Sequence, residues 1–409
     1  MTQDVSSVLT LNGGSSSIKF ALYQTGEPLK RGLHGKVDRI GSSGTKFVVS
    51  DPAGKQLGDQ SLGQLDHRSA AMFLLDWLEK RVGLASFAAI GHRVVNGGPN
   101  YLEAQLVTDA MLDQLRRVSA YAPEHLPAEL DMIDLVSARV PRIPQVACFD
   151  TAFHRAMPRV AKILPIPRRL QAKGVERYGF HGLSYTFLME ELARVAGTDA
   201  ARGRVILAHL GNGASLAAVR DGKSVDTSMG FTPTAGVPMS SRSGDLDPGL
   251  VSYLARTEQM SAQQFDHMVN HQSGLLGVSE TSSDLRDLLD TENHDVRAAE
   301  AVALFCYQAK KWIGAFAAAL GGLDTLVFAG GIGENAPVIR SRICDGLGFV
   351  GIQFDESQNA AGASIISADG SPTHVRIIRT DEDVIIATAV FNVLASINPP
   401  TRSPQGRKP

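Results

Sequence analysis

Two short segments with the same pattern constrain the fold of this chain most strongly. Apolar runs at residues 8–12 and 18–23 flank a Gly/Ser turn, and runs at 205–210 and 215–219 flank the turn Gly-Asn-Gly. Two apolar or alternating runs on either side of such a turn predict a β-hairpin. Because one hairpin opens each half of the 409-residue chain, we predict two domains of related architecture.

Strands and helices are predicted to alternate along the rest of the chain, which favours the α/β class. One helix is predicted to begin with Ser184 as its cap. The predicted strands cover 89–95, 145–149, 323–329 and 375–378, and the predicted helices cover 70–82, 184–196, 336–344 and 384–395.

Composition and charge argue against a nucleic-acid binder, a secreted protein and a membrane protein. The formal net charge of −2 argues against a general nucleic-acid binder, which needs a basic excess. The three cysteines lie far apart, which favours a reduced, cytoplasmic compartment. We see no secretion leader at the N-terminus. The apolar stretch 299–323 contains Lys310 and Lys311, which favours a buried or interface helix over a membrane span.

The first candidate site is the turn Asn12–Lys19. Glycine lets a backbone turn closely around a phosphate, and hydroxyl, amide and lysine groups can then donate hydrogen bonds to it. The segment is not a P-loop, so an ordinary polar hairpin turn is the alternative interpretation.

Single charged residues at the ends of strands form a second group of candidates. Arg93 ends an apolar run, and its planar guanidinium suits a carboxylate ligand. Asp150 follows another run, at the edge where α/β proteins place their sites. His181 lies between Phe180 and Gly182 and can present a donor. The structural alternatives are a salt bridge for Arg93, a helix cap for Asp150 and a packing role for His181.

Glycine-rich segments fill the second half. The segment 209–215 repeats the first turn, and residues 226–245 surround Arg242 with Gly, Ser, Thr and Asp. Arg242 is suited to hold charge on a transferring phosphoryl group. Gly330–Asn335 follows a predicted strand as a loop that a ligand can approach. Glu382 either complements a helix dipole or contributes to a Mg²⁺ site. No HExxH, paired-cysteine or GxSxG motif supports a zinc or serine hydrolase.

Taken in order from Asn12 to Glu382, these segments resemble the acetate kinase family, within the sugar kinase, heat-shock ATPase and actin superfamily. The resemblance implies two ribonuclease-H-like (actin-like ATPase) domains with an active-site cleft between them. We place the N-terminal domain at 1–150, joined by a closing helix at about 384–396, the C-terminal domain at 151–383, and a disordered tail at 397–409.

The resemblance also implies roles for individual residues. Asn12 and Glu382 match Mg²⁺-associated positions, with Mn²⁺ as an alternative metal. The implied catalytic residues are Asp150, His181 and Arg242, and the implied acceptor-binding residues are Arg93, Val95, His125, Phe180 and Pro233. The implied ATP-binding residues are Lys19, His209, Leu210, Gly211, Asn212, Gly213, Asp284, Leu285, Arg286, Gly330, Gly331, Ile332, Gly333 and Glu334.

The implied reaction is direct in-line transfer from ATP to acetate, giving acetyl phosphate and ADP, by a cytoplasmic homodimer that binds neither nucleic acid nor membrane. Positioning and charge neutralisation dominate such a transfer. The chain departs from the family at Asn96, Glu124 and Leu126. Because Glu124 replaces an apolar residue of the acyl pocket, propionate or another short-chain acid is an alternative acceptor. A sugar kinase and a non-catalytic ATP-binding switch are further alternatives.

Overall fold

The computed structural model describes residues 7–14, 16–26, 28–41 and 43–397. Its strands are β1 Ser7–Gly13, β2 Ser17–Gln24, β3 Lys30–Asp38, β4 Thr45–Ser50, β5 Gln56–Gly63, β6 Ala89–Val94, β7 Gln105–Leu106, β8 Gln145–Phe149, β9 Val205–Leu210, β10 Ala214–Arg220, β11 Lys223–Thr227, β12 Thr325–Ala329 and β13 His374–Ile377.

Helices occupy most of the remaining described chain. They are α1 His67–Arg81, α2 Asp109–Arg117, α3 Leu126–Arg139, α4 Arg159–Lys162, α5 Arg168–Gln171, α6 Gly182–Ala196, α7 Thr198–Arg202, α8 Gly249–Thr257, α9 Ala262–His271, α10 Gly274–Ser279, α11 Leu285–Thr291, α12 Val296–Leu320, α13 Gly330–Asn335, α14 Pro337–Cys344, α15 Glu356–Ala360 and α16 Glu382–Ile397. The α/β class predicted from the alternation is confirmed.

The chain forms two compact units. The first comprises the chain up to Ala152 together with the segment from Glu382 onward, and the second comprises Phe153–Asp381. The sheet of the first unit has the order β5-β4-β3-β2-β1-β6-β8-β7, and the sheet of the second has the order β11-β10-β9-β12-β13.

The two sheets share one five-strand pattern. In β3-β2-β1-β6-β8 and in β11-β10-β9-β12-β13, the first two pairings are antiparallel and the last two are parallel. Both predicted hairpins form, as β1 with β2 and as β9 with β10. The carboxyl ends of three parallel strands therefore meet at one edge of each sheet, which is where the charged candidates of each unit collect.

Helices cover both faces of the first sheet. Leu74, Leu75 and Leu78 of α1 pack in one apolar cluster with Leu9 and Leu11 of β1 and with Ile90 of β6. The next residue, Gly91, faces the other way, because side chains alternate along a strand. A Cβ atom at Gly91 would lie 2.6 Å from Ile386 and Val390, so the missing side chain lets α16 lie directly on the sheet.

In the second unit α6 packs on the sheet through Tyr185, Leu188 and Leu192, which contact Val205 and Leu207 of β9. The prediction that Ser184 caps this helix is wrong. Helix α6 begins two residues earlier, after His181, and no side-chain hydrogen bond caps it. The Ser184 hydroxyl instead contacts the side chains of His209 and Thr380.

The structure also tests the predictions made for Gly330–Asn335, for the C-terminal tail and for the apolar stretch 299–323. Gly330–Asn335 is a short helix rather than a loop, because the chain turns helically at once after β12. Ile397 ends α16 instead of beginning a tail, while residues 398–409 of the predicted tail and the N-terminal residues 1–6 lie outside the described residues. The apolar stretch predicted as a buried or interface helix is α12. Within the described ranges, no helix has the length and apolar character needed to cross a membrane.

Candidate active site

Arg93 is the centre of a cluster of charges at the carboxyl edge of the first sheet. It comes one residue before the end of β6, and Asp150 follows the neighbouring strand β8 directly. The Arg93 Nε and Nη2 atoms donate to Asp150 Oδ2 at 3.0 and 2.6 Å, and Nη1 donates to Glu129 Oε1 at 3.0 Å and to the Gly13 carbonyl. We call Arg93, Glu129 and Asp150 the arginine cluster.

The arginine cluster is almost dry, since the side chains of Arg93, Glu129 and Asp150 are 11%, 5% and 1% exposed. Burial would lower the pKa of Arg93, but the carboxylates of Asp150 and Glu129 together raise it above its usual value. The guanidinium therefore stays charged. Four of its five N–H groups have acceptors in these bonds, and the fifth, on Nη2, has none among the described residues. The sequence predicted that the planar guanidinium of Arg93 binds a carboxylate ligand. The structure leaves only one N–H of that group for such a ligand.

The predicted metal residues lie at the same edge. Asn12 is near the end of β1, and its Nδ2 atom donates to Glu382 Oε2, at the start of α16, over 2.7 Å. Both residues carry oxygen atoms, the ligand type that Mg²⁺ prefers, and Mg²⁺ takes few protein ligands because it keeps water and substrate phosphates. Among the described residues no group of three His, Cys, Asp or Glu side chains forms a metal cluster. Lys19, on β2, pairs with Asn12 across the hairpin and is exposed.

A pocket adjoins the arginine cluster where α3 begins. His125 is buried at the start of that helix, and Glu124, which the sequence identified as a departure, also lines the pocket. We call this the α3 pocket; it is lined by Leu11, Gly13, Gly14, Ile18, His67, His92, Arg93, Glu124, His125, Ala128, Glu129 and Met132.

Val95 and Asn96, which follow β6, both form hydrogen bonds within the first unit. Val95 is buried, and its N–H donates to Glu129 Oε2 at 2.8 Å. Asn96, the second departure, is also buried, and its Oδ1 atom accepts the Gly98 N–H at 2.7 Å. Asn96 therefore stabilises the turn after β6 by a local side-chain to backbone bond.

Two histidines stack in the second unit. The rings of His181 and His209 lie 4.3 Å apart, and their Nδ1 atoms lie 2.8 Å from the Ser215 and Ser184 hydroxyls respectively. The Ser215 hydroxyl also contacts Tyr185 Oη. When Tyr185 donates to Ser215, and Ser215 donates to His181 Nδ1, a neutral His181 ring carries its proton on Nε2.

His181 has a left-handed backbone, with φ 58° and ψ 25°. This conformation is strained for a residue other than glycine, and such strain is typical of functional positions. Next to it, Phe180 is buried, and its carbonyl accepts from His154 Nε2 at 3.0 Å. Burial lowers the pKa of His154 to about 4, so His154 is neutral and acts as a structural donor.

Arg242 and His181 meet beside Gly213, in the turn between β9 and β10. A Cβ atom on Gly213 would lie 3.3 Å from His181 Nε2 and 3.8 Å from Arg242 Nη1. Arg242 Nη1 also donates to the carbonyl of the buried Pro233 at 3.0 Å. The absent side chain of Gly213 thus leaves room where an imidazole and a guanidinium are close together. The turn itself, Leu210–Gly213, is closed by a bond from Gly211 N to Gly213 O at 3.0 Å.

Two further segments were predicted to bind nucleotide. Glu334 Oε1 accepts the N–H groups of Gly330 at 3.0 Å and of Thr380 at 3.1 Å, which ties α13 to the chain beyond β13. Gly331, Ile332 and Gly333 lie within that helix. Asp284 caps α11 and forms an ion pair with Arg286. Leu285, between them in the sequence, is buried. The Arg286 side chain is 86% exposed.

Gly330 gives a stability prediction. Its φ is +76°, and a Cβ atom would lie 2.7 Å from the Leu210 carbonyl oxygen. Gly330→Ala is therefore expected to cost about 2 kcal/mol or more of unfolding free energy, measured by denaturant titration. Gly331→Ala is the matched control, since no described atom outside the adjoining residues and the backbone of its own helix comes within 4 Å of its Cβ position. Equal stability of the two variants would contradict the assignment.

Glu129 is the residue that sequence reasoning missed. It stands near the start of α3, where an acidic side chain is ordinarily explained by the helix dipole. No motif surrounds it, and its two partners, Val95 just after β6 and Arg93 on β6, are 34 and 36 residues away along the chain. Only a buried acid in an otherwise apolar turn of the helix could have signalled it.

Known proteins are similar to this chain along nearly its whole length. A family model described as the Acetokinase family matches residues 7–388. The chain is 44% identical over 392 residues to the acetate kinase of Rhodopseudomonas palustris strain ATCC BAA-98 / CGA009, covering 94% of this chain and 98% of that protein.

Solved structures of an acetate kinase and of a propionate kinase are also similar to this chain. The crystal structure of Porphyromonas gingivalis acetate kinase matches with a TM-score of 0.84 at 36% identity, covering 95% of this chain and 100% of that one. The structure of a propionate kinase from Francisella tularensis subsp. tularensis SCHU S4 matches with a TM-score of 0.86 at 35% identity, covering 94% and 98%.

Proposed function

This chain belongs to the acetokinase family, and we propose that it transfers the terminal phosphoryl group of ATP to acetate, giving acetyl phosphate and ADP. As a member of that family it is a phosphotransferase with a carboxyl group as acceptor. The individual roles given below are our proposals. Each is supported by the contacts of the residues concerned.

The arginine cluster is the observation that carries the proposal. A kinase acting on a hydroxyl needs a base to remove a proton, whereas an ionised carboxylate is already a nucleophile and needs a cation. Asp150 Oδ2 already accepts two hydrogen bonds from Arg93, so that oxygen is engaged in holding the guanidinium. The remaining Nη2 N–H of Arg93 can donate to an oxygen of the acceptor carboxylate. This arrangement favours a carboxylate acceptor over a sugar, with Asp150 orienting Arg93.

Charge on the phosphoryl group is the second requirement. Arg242 and the Nε2 atom of His181 are proposed to stabilise it, since both lie beside Gly213. The turn at Gly213 and the helix α13 offer backbone N–H groups for the phosphates of ATP, with Lys19 as an additional cation. Bound Mg²⁺, or Mn²⁺, would neutralise phosphate charge, and Asn12 and Glu382 would hold it.

The acyl group of the acceptor is proposed to contact Val95, His125, Phe180 and Pro233, which are buried. Propionate is the second candidate acceptor. It is favoured by the departure at Glu124, which lines the α3 pocket, and by the similarity to a solved propionate kinase. We further propose a cytoplasmic homodimer, for which the exposed apolar side chains of α12, such as Tyr307 at 60% exposure, offer contact area.

An acceptor panel tests the proposed function. With Mg²⁺ and ATP, the protein is expected to form ADP only when acetate or propionate is present, and hydroxylamine is expected to trap the acyl phosphate as a hydroxamate. Acetate is expected to give the higher kcat/KM. Turnover of a polyol without turnover of acetate, propionate or butyrate would establish a sugar kinase instead, and ADP formation without any acceptor would indicate an ATP-driven switch.

A further inference from the structure

The carboxylate of Glu129 binds both the side chain of Arg93 and the backbone of Val95. Both residues are proposed to bind the acceptor. Its Oε1 atom accepts from Arg93 Nη1 at 3.0 Å, and its Oε2 atom accepts from the Val95 N–H at 2.8 Å. Arg93 is the second-last residue of β6, and Val95 follows that strand directly. Glu129 thereby fixes a cationic group and the adjoining apolar residue relative to each other.

The charges around Arg93 do not balance. Glu129 and Asp150 approach the guanidinium from two sides, and both are nearly inaccessible to water. If both are ionised, one positive charge faces two negative ones in a region where water screens poorly. The guanidinium is then already more than neutralised before any ligand binds.

A substrate carboxylate adds a third negative charge. On the function proposed above, it binds to the remaining Nη2 donor of Arg93. Three ionised carboxylates around one buried cation repel one another, and such groups respond by taking up a proton. Of the two protein carboxylates, Asp150 accepts two hydrogen bonds from Arg93 whereas Glu129 accepts one, which makes Glu129 the weaker partner of the cation.

We propose that Glu129 is a positioning residue that holds Arg93 and Val95 for the acceptor and takes up a proton when the acceptor carboxylate binds. The proton comes from solvent and goes to a carboxylate oxygen of Glu129, so the total charge of the cluster with its ligand stays as it was before binding. Acetate remains ionised. This inference rests on the proposed function, because it requires a carboxylate ligand at Arg93.

The protonation behaviour of Glu129 agrees with this geometry. Burial raises the pKa of Glu129 to about 7, while Arg93 and the Val95 N–H oppose the rise and Asp150 adds to it. A ligand carboxylate nearby raises this pKa further. Near pH 7.5, binding therefore converts part of the ionised Glu129 to the neutral acid.

Other titratable groups face the same region. His67 on α1, His92 on β6, and Glu124 and His125 before α3 line the α3 pocket with Glu129. Glu382 on α16 interacts with Arg93 electrostatically. Burial lowers the pKa of His92 to about 4, so His92 stays neutral above pH 6. Variants must show which group takes up the proton.

Calorimetry of the unmodified protein is the first test. Acetate is titrated at pH 7.5 into the full chain in two buffers of different ionisation enthalpy, and the difference gives the protons taken up. We expect about half a proton per acetate, for a rise of about one unit in the pKa of Glu129. Steady-state kinetics should agree, with the acetate KM falling about fivefold from pH 8 to pH 6 and the ATP KM changing little.

Glu129→Gln is the second test, because glutamine keeps the size but does not ionise. It is expected to abolish proton uptake and to make the acetate KM independent of pH within about twofold. Asp131→Asn is the matched control, since Asp131 is on the same helix but is 53% exposed and paired with Arg68. It should keep the behaviour of the unmodified protein. Glu129→Ala removes both acceptors and should raise the acetate KM at every pH.

The outcomes separate the two proposals. Acetate turnover without proton uptake, or with the same uptake in Glu129→Gln, overturns the role of Glu129 and leaves the proposed function intact. Absence of acetate binding and turnover overturns both. If Glu129→Gln does not fold, the calorimetry of the unmodified protein still decides, because no uptake at pH 7.5 contradicts the inference by itself.

Discussion

Replacing Arg242 with Ala is expected to lower kcat about a thousandfold, because an arginine that stabilises a transferring phosphoryl group contributes on the order of 10³-fold or more. The Arg242 guanidinium lies beside the same glycine as His181 Nε2 and is oriented by the Pro233 carbonyl. The ATP KM should change by less than about tenfold, since the interaction strengthens only as charge develops.

Two variants and one additive sharpen this prediction. Arg242→Lys keeps the charge but loses the planar fork, and should retain more activity than Arg242→Ala. Guanidinium ion added to Arg242→Ala should restore part of kcat. Arg256→Ala, on the exposed α8, removes a positive charge elsewhere in the same unit and should leave kcat unchanged. A kcat for Arg242→Ala within tenfold of the original would refute the role.

Arg93→Ala is expected to impair both acceptor binding and folding. Loss of a charge-assisted hydrogen bond to a carboxylate costs about 2–3 kcal/mol, so the acetate KM should rise about 30-fold to 150-fold. The change also leaves Glu129 and Asp150 buried without their cation, which costs about 3–5 kcal/mol of unfolding free energy. Steady-state kinetics and denaturant titration measure the two effects separately.

The stability loss in Arg93→Ala should depend on pH. Glu129 already has a folded-state pKa of about 7, above its ordinary value of 4.5, so the folded state binds the extra proton between these values. Stability from this group is present at low pH and is lost as pH rises toward 7. Without Arg93 the pKa of Glu129 rises further, so lowering the pH should recover stability in the variant.

A double variant tests the cause. Arg93→Ala with Glu129→Gln removes one of the two unpaired charges, and should recover part of the lost stability but none of the acetate affinity. Arg116→Ala is the control, because its partners Asp113 and Asp134 are on the surface and the melting temperature should hardly change. An unchanged acetate KM in Arg93→Ala would exclude Arg93 from the acceptor site.

Local sequence patterns determined most of the secondary structure. The strand β8 and the strand β9 have the predicted bounds, and both hairpins form, because alternation and Gly-rich turns act over a few residues. Helix starts were harder to predict. Ser184 resembles a cap in sequence but contacts His209 and Thr380, and the latter is distant in the chain.

Sequence also identified Arg93 and Asp150 as charges at strand ends, and the structure brings them together. It could not identify their third partner. The contact between Glu129 and Arg93 depends on where α3 crosses the end of β6, and the tertiary packing of the unit sets that position. The sequence by itself therefore determined which charges stand at the sheet edge, and only the tertiary structure decided that two carboxylates share one arginine, because that contact joins residues 36 positions apart.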